Sequence, residues 1–317
     1  MKFKEMKAQI RSLPEVAAWP DMLGLMERVV HRESLSVWDY PEIVCEAVGG
    51  SAASTLPAAA AIFCSLISIH LVDDMLDLDP NGDYHRIGEG RAANLALAFQ
   101  AAGHRLLNHP ALPAATRASL QATLARMALG TAFGQGLDAH EVTGEEEYWQ
   151  VVEAKTPPLF GAAFRLGALI GEAPDDIVEG LERLGGILGR LVQVSDDLTD
   201  AVQVPAGADW QRRSNNLTIL FAMTAEHPDR QAFLDLSRRV QDLDALAAAQ
   251  KILVASGAVS FCAFKMFEFS KEANDLLAEL PLPRPEPIAR LLALHMAPLH
   301  RLLASVGVEQ PAALSAG

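Results

Sequence analysis

The stretch AAAAIFCSLISIHLVDDMLDLD, residues 58–79, decides the fold. It is built from helix formers, and no Asp, Glu, Lys or Arg appears until Asp73, Asp74 and Asp77 arrive within one turn. Residues four apart share a helix face, so Asp73 and Asp77 point the same way with Asp74 beside them. Carboxylates this close repel one another, and nothing on the apolar run neutralises them. Positive charge must come from elsewhere. Ligands made only of oxygen favour a hard cation, Mg2+ before the softer metals.

The rest of the composition agrees with a helical chain. Of 317 residues, 50% are hydrophobic and only 6% aromatic. Ala and Leu lead, which favours helices, and the length suffices for a sizeable core. A net charge of −14 lacks the basic footprint that nucleic acid requires and is the wrong sign for an anionic membrane surface. Cys45, Cys64 and Cys262 are scattered without metal or disulfide spacing, as expected of reduced thiols in a cytoplasmic protein. The N-terminal MKFKEMKAQIRSL has no uninterrupted apolar region and does not read as a signal peptide. Residues 56–72 are long enough to suggest a membrane span, but Pro57, Ser65, Ser68 and His70 interrupt them and the aspartates follow at once. A buried bundle helix is the expectation, with no stable membrane insertion.

In chain order, residues 1–13 and 15–32 read as amphipathic helices, and 35–41 as a break. A short helix follows, stopped by Gly49-Gly50. Thr55 is placed to cap the central helix, with Pro57 in its first turn. Residues 80–83 form a turn. Helical patterns resume over 89–107, from 111 past 135, from about 144 beyond 160 with a kink at Pro157-Pro158, and over 175–200. Residues 204–208 read as a loop, and the last dozen as a frayed end. No segment alternates like a strand, and no composition shift marks a linker. The expectation is a single all-α domain over 1–317, a large bundle of about ten or more helices.

A second cluster repeats the first. GILGRLVQVSDDLTDA, residues 186–201, again delivers Asp196, Asp197 and Asp200 at the end of an apolar helix, where the helix dipole disfavours negative charge. A single such cluster has a bland explanation as a solvated helix end. Two of them, over a hundred residues apart and each behind an apolar run, predict facing helices with six carboxylates at one cavity mouth. That arrangement suits several Mg2+ ions and a polyanion, diphosphate above all. The di-iron bundle is the competing carboxylate fold, but no histidine here has Glu three residues before it.

On these motifs the chain resembles the trans-polyprenyl diphosphate synthases of the class I isoprenoid synthase superfamily, over about residues 45–222. Arg86 after the first cluster, GQGLD at 134–138, EEEYWQVVEAKTPPLF at 145–160 and GRLVQVSDDLTD at 189–200 fall in the family's order. The resemblance implies a catalytic set of Asp73, Asp74, Asp77, Asp196, Asp197, Asp200 and Lys155, working with Mg2+, three ions in all. Asp73, Asp77 and Asp196 would be direct ligands, Asp200 would share that role, and Asp74 and Asp197 would support it. Arg86 and Lys155 match positions that hold the departing diphosphate, and Gln135 and Asp138 a polar pair around the metal-bound water. Taken alone, Lys155 reads as a solvated helix charge and Gln135 as a core hydrogen bond. The resemblance also implies a homodimer.

The chain departs from the family where isopentenyl diphosphate should bind. The Gly-Gly-Lys-Arg-x-Arg-Pro segment corresponds here to RESLSVW, residues 32–38, without the lysine and two arginines at their places. The Arg-Arg-Gly after the first cluster reads Arg86-Ile87-Gly88, and a His or Gln seven residues before the first aspartate is Leu66. Each charge-assisted bond to phosphate contributes roughly 1.5–3 kcal/mol, so losing three or four weakens a second diphosphate by several powers of ten. The loop after the second cluster, AVQVPAGADWQRRSNN, keeps only Arg212 and Arg213 to close over a diphosphate. The leading expectation is therefore ionisation of an allylic prenyl diphosphate, C15 or longer, with the cation captured intramolecularly or by an acceptor other than isopentenyl diphosphate. A conventional chain-elongating synthase with a rebuilt site, with Arg28, Arg32 or Arg91 compensating, is the alternative within the family. A non-catalytic regulatory subunit is the alternative outside it. The expected pocket wall is Cys64, Ser65 and Ser68 below the aspartates, with Phe133, Phe160 and Met75 as further lining, though each aromatic is more often ordinary core.

Overall fold

The structure is a computed structural model that describes residues 3–28, 35–110, 112, 114–212 and 215–305. It contains seventeen α-helical segments, two 3-10 turns and no strand among the described residues, an all-α bundle as the composition predicts. At its centre lies the helix Leu56–Leu76. Ala58, Ala59, Ala60 and Ala61 are wholly buried, as are Ile62, Phe63 and Cys64. Their small side chains let the neighbouring helix Glu89–Leu107 approach until Gly103 faces the Ala61 carbonyl. The segment Ala52–Leu76 is long and apolar enough to cross a membrane by length and composition, with a mean hydropathy of 1.9, but 72% of that window is buried against protein.

The ends of the central helix differ in part from expectation. Pro57 sits in its first turn, but Thr55 makes no cap. Its hydroxyl instead donates to the Ala52 carbonyl at 2.7 Å, because the residues before it already wind as a 3-10 turn. The C-terminal end falls at Leu76, a few residues before the turn at 80–83 that was expected to stop it. The Asp77 amide closes on the Asp73 carbonyl, and Leu78 then takes a left-handed φ of 53° ahead of the turn at 80–83. Pro157-Pro158 does more than kink its helix. It divides the stretch into Glu145–Lys155 and Pro157–Ile170, since a proline cannot donate to the preceding turn.

The helix Asp175–Val202 joins the rest together. Leu181, Leu184 and Leu188 pack in the main core around the central helix. Leu191, Val194 and Leu198 pack one layer further on, against Ala258–Glu279 and Glu145–Lys155. Ala201 reaches a third cluster with Trp210 and Phe233. Gly185 permits this course, because a methyl group there would lie 2.7 Å from the Phe160 carbonyl. Both aspartate clusters are thus fixed on long helices buried along most of their length.

Candidate active site

At the first cluster the carboxylates meet a cation from another helix. Lys155 Nζ lies 2.9 Å from Asp73 Oδ1 and 2.6 Å from Asp138 Oδ2. Gln135 Nε2 donates to the same Asp73 oxygen at 3.0 Å. Gln135 and Asp138 stand on Ala114–Asp138, Lys155 on Glu145–Lys155. Gly134 sets the spacing between those two helices. A methyl group there would meet the backbone of Ala154 and Lys155 within 2.5 Å. Burial disfavours the Lys155 charge, but Asp73 and Asp138 overcome it and hold the ammonium well above its ordinary range. Asn215 secures the far side of Asp138, donating to its carboxylate at 2.8 Å and to its carbonyl at 2.7 Å.

The second cluster is divided between structure and cavity. Asp197 is buried and accepts from Tyr148 Oη at 2.6 Å, the Leu217 amide at 2.7 Å and Gln193 Nε2 at 2.8 Å. These three donors hold the carboxylate in place, so it ties the start of Leu217–Thr224 to the long helix. Asp196 and Asp200 open to the cavity instead. Burial and the nearby charges of Asp200 and Asp209 push Asp196 up to about 7, and burial with Asp209 pushes Asp200 up to about 6.

The two clusters line one cavity of about 330 Å3. Asp73, Asp77, Asp138, Asp196, Asp197, Asp200 and Asp209 all contribute to its wall, and Lys155 is the only lysine or arginine there among the described residues. Asp74 is the member of the first cluster left outside. It turns toward the 79–83 turn, where burial and the charges of Asp79 and Asp73 push it up to about 6. Asp209, Tyr148, Gln193, Asn215 and His70 are wall residues to which the sequence reading gave no role, although Tyr148 and Gln193 lie inside its quoted motifs. His70 carried a usable signal of its own, standing three residues before Asp73 on the same helix face.

The expected pocket wall needs correction. Phe160 lines the cavity, but Cys64, Ser65, Ser68, Phe133 and Met75 do not. Ser65 donates to the Ala61 carbonyl of its own helix and Ser68 to the Ala96 carbonyl of the neighbouring helix, while Cys64 is buried in the main core. Phe133 is 63% exposed on the outer surface. The wall below Asp73 is Leu66, Ile69 and His70, since helical periodicity selects the residues three, four and seven before it. Arg86 also stands apart from the wall, with its guanidinium 2.7 Å from Asp83 and that carboxylate shared with Arg28 at 3.1 Å. Arg213, Arg32 and residues 306–317 lie outside the described residues, and the Arg212 side chain does as well.

The first cluster fits a hard divalent cation. Asp73, Asp77 and Asp138 each offer a carboxylate oxygen, and these atoms lie within 4.8 Å of one another. Such an all-oxygen set suits Mg2+ or Ca2+. Lys155 already places a positive charge against two of the three. Asp138, expected to act through metal-bound water, is as close to that centre as the DDxxD aspartates are.

Comparison with known proteins bears on the same arrangement. The sequence profile of the polyprenyl synthetase family matches residues 59–253, a span that contains both clusters. A nonaprenyl diphosphate synthase of Mycobacterium tuberculosis is 32% identical over 45% of this chain and 45% of its own length. A geranylgeranyl diphosphate synthase of Methanosarcina mazei is 25% identical over 75% of this chain and 78% of its own. The first of these alignments therefore spans less than half of either protein. In fold, a polyprenyl synthetase from Streptomyces coelicolor A3(2) superposes with a TM-score of 0.76 at 18% identity, covering 92% of this chain and 94% of that one. With the profile spanning more than half of the sequence and both acidic helices inside it, the chain belongs to the polyprenyl synthetase family of enzymes.

Proposed function

We propose that this protein is a Mg2+-dependent prenyltransferase, a single domain that ionises an allylic prenyl diphosphate and joins the prenyl group to isopentenyl diphosphate. The observation that carries this reading is the shared cavity, where two acidic clusters and Lys155 stand above a wall of Leu66, Ile69, Leu159, Phe160 and Val192. Asp73, Asp77, Asp138, Asp196 and Asp200 would hold the metal, three ions in our reading. The bound metal supplies charge neutralisation of the departing diphosphate. Lys155 would bind that diphosphate directly, with Arg212 and Arg213 closing from the following loop. The apolar wall excludes water from a carbocation. Both relatives described above are prenyl diphosphate synthases by name, which supports chain elongation over the intramolecular capture expected from the sequence.

Capture without isopentenyl diphosphate is retained as a second reading on one specific observation. The polar family position at 66 is a leucine in the cavity wall, and Arg86 is committed to Asp83. In either case a substrate of C15 or longer is kept as our reading from the sequence, although the small residues on which it was based lie outside the cavity wall. We further propose a homodimer, because Leu97, Leu129 and Phe133 are 71%, 76% and 63% exposed on neighbouring helices. The three buried free thiols support a reducing, cytoplasmic setting.

Purified protein, Mg2+ and farnesyl or geranylgeranyl diphosphate, with and without isopentenyl diphosphate, test the reading through diphosphate release and organic products. Elongated product strictly dependent on isopentenyl diphosphate is expected. Equal release without it transfers the assignment to the second reading. No release under any condition points to a regulatory subunit.

A further inference from the structure

Two adjacent asparagines reach in opposite directions, one toward each acidic cluster. Asn216 is wholly buried beside the second. Its amide group donates to the Asp197 carbonyl at 2.8 Å and to the Asp209 carboxylate at 2.7 Å. Its oxygen accepts from the Thr218 and Ile219 amides at 3.0 and 3.2 Å, capping Leu217–Thr224. Asn215 reaches across to the helix Ala114–Asp138. Beyond its two bonds to Asp138, it donates to the His140 carbonyl at 3.2 Å and accepts from the Val142 amide at 3.3 Å.

The consequence falls on Asp138, whose carboxylate stands with Asp73 and Asp77 in the oxygen group suited to a hard cation. Lys155 holds Asp138 Oδ2 and Asn215 holds Oδ1, so both oxygens are oriented before any ligand arrives. A carboxylate has about four lone-pair sites, so a donor on each oxygen does not exclude a cation. The two donors differ in what they do to the charge. Lys155 opposes a cation by its own charge, whereas the neutral amide of Asn215 orients the carboxylate without cancelling it. Partners of this kind, one step outside the ligand set, typically change metal affinity by about 10–100-fold.

We propose that Asn215 is a positioning residue for the cation of the first cluster, with Asn216 anchoring it to the second. The inference rests on the metal reading proposed above and deepens it, because the segment after the second cluster then completes the ligand geometry of the first. Asn215 stands 77 positions along the chain from Asp138, and Asn216 stands 19 from Asp197. A single peptide bond therefore links the two acidic centres. The Asn215 amide does not itself meet cation or substrate; it acts through Asp138. Replacing it leaves the direction of Oδ1 to be fixed at the moment of binding, which costs affinity.

Mn2+ is the probe, an ion that accepts oxygen ligands and whose free form is counted by electron paramagnetic resonance. Metal-free full-length protein is titrated without prenyl substrate, at a temperature where circular dichroism shows every variant folded. Asn215→Ala should raise the dissociation constant of the tightest Mn2+ about tenfold. Asp138→Asn keeps the other carboxylates of the cavity, so Mn2+ still titrates in it. Adding Asn215→Ala to that background should change the constant by no more than about twofold. An Asn215→Ala constant within about twofold of wild type overturns the proposal. So does an equal loss with and without Asp138→Asn, since a purely structural role in the 138–142 turn would persist in both. Wild-type protein that binds no Mn2+ would instead remove the metal reading beneath it.

Discussion

The two aspartate clusters share a sequence spacing and a cavity but not an electrostatic state. Asp73 meets Lys155 and Gln135, so the first cluster is already part-neutralised within the fold. Asp196 and Asp200 meet no ammonium or guanidinium among the described wall residues, and Asp209 adds a further carboxylate beside them. Asp197 has been drawn into the structure by three donors. A DDxxD spacing therefore fixes which face of a helix is acidic. Whether that acid arrives charged, paired or buried depends on the helices that pack against it. One cluster waits with an internal cation, the other with carboxyl groups held near neutrality.

The largest test of this contrast is to remove one ligand from each side. Asp73→Asn and Asp196→Asn should each lower turnover by about a thousandfold or more, roughly 4 kcal/mol of transition-state stabilisation, with the helical circular-dichroism signal unchanged. Near-normal diphosphate release from either variant would break the assignment of metal to both clusters. A smaller effect is expected where the first cluster gains its cation. Gly134→Ala places a methyl group against the Ala154–Lys155 backbone and should destabilise the fold by about 2–3 kcal/mol in a denaturant titration. A variant as stable as wild type would mean that the two helices can slide without consequence.

The smallest expected effect concerns pH. Asp196 and Asp197 are each pushed up to about 7, with burial as the leading cause, against an ordinary value of 3.8. The folded protein therefore holds more protons than the unfolded chain between these limits, and stability falls as pH rises through them. His295, held down to about 4 by burial, acts in the opposite sense below its ordinary 6.5. Between pH 6 and 8 the carboxyl groups dominate, and the metal-free protein should melt several degrees lower at pH 8 in calorimetry. Asp196→Asn should flatten that slope by about 2–4 °C after allowance for its open side toward the cavity. A midpoint that rises toward pH 8 would refute the picture of a proton-loaded second cluster.

Much of this was legible in the residues. Apolar runs ending in paired aspartates located both acidic helices, and the motifs around Gln135, Asp138 and Lys155 supplied residues that the fold brings into contact with Asp73 or with one another. The pocket wall was not, because stepping down the chain from Asp73 is not the same as stepping down its face. Ser65 bonds back to its own helix at Ala61 and Ser68 to the neighbouring helix at Ala96, whereas His70, Ile69 and Leu66 follow the helical period. Arg86 was read from its position in a motif, but its partner is Asp83, three residues away. Asp209 and Asn215 carried no local pattern at all. Their roles exist only because the chain after the second cluster folds back, bringing Asp209 beside Asp196 and Asn215 against Asp138.

The sequence by itself determined the helical class, the buried central helix and the two acidic faces, because composition and helical period act through neighbours a few residues apart. Only the tertiary structure decided which acids share a cation, which one is consumed as a structural tie and which side chains line the cavity. Those outcomes depend on contacts such as Lys155 with Asp73 and Tyr148 with Asp197, between residues 82 and 49 positions apart along the chain. No local rule reaches that far. For the helix that opens at Leu56, the chain supplied the charge problem, and packing supplied the lysine that answers it.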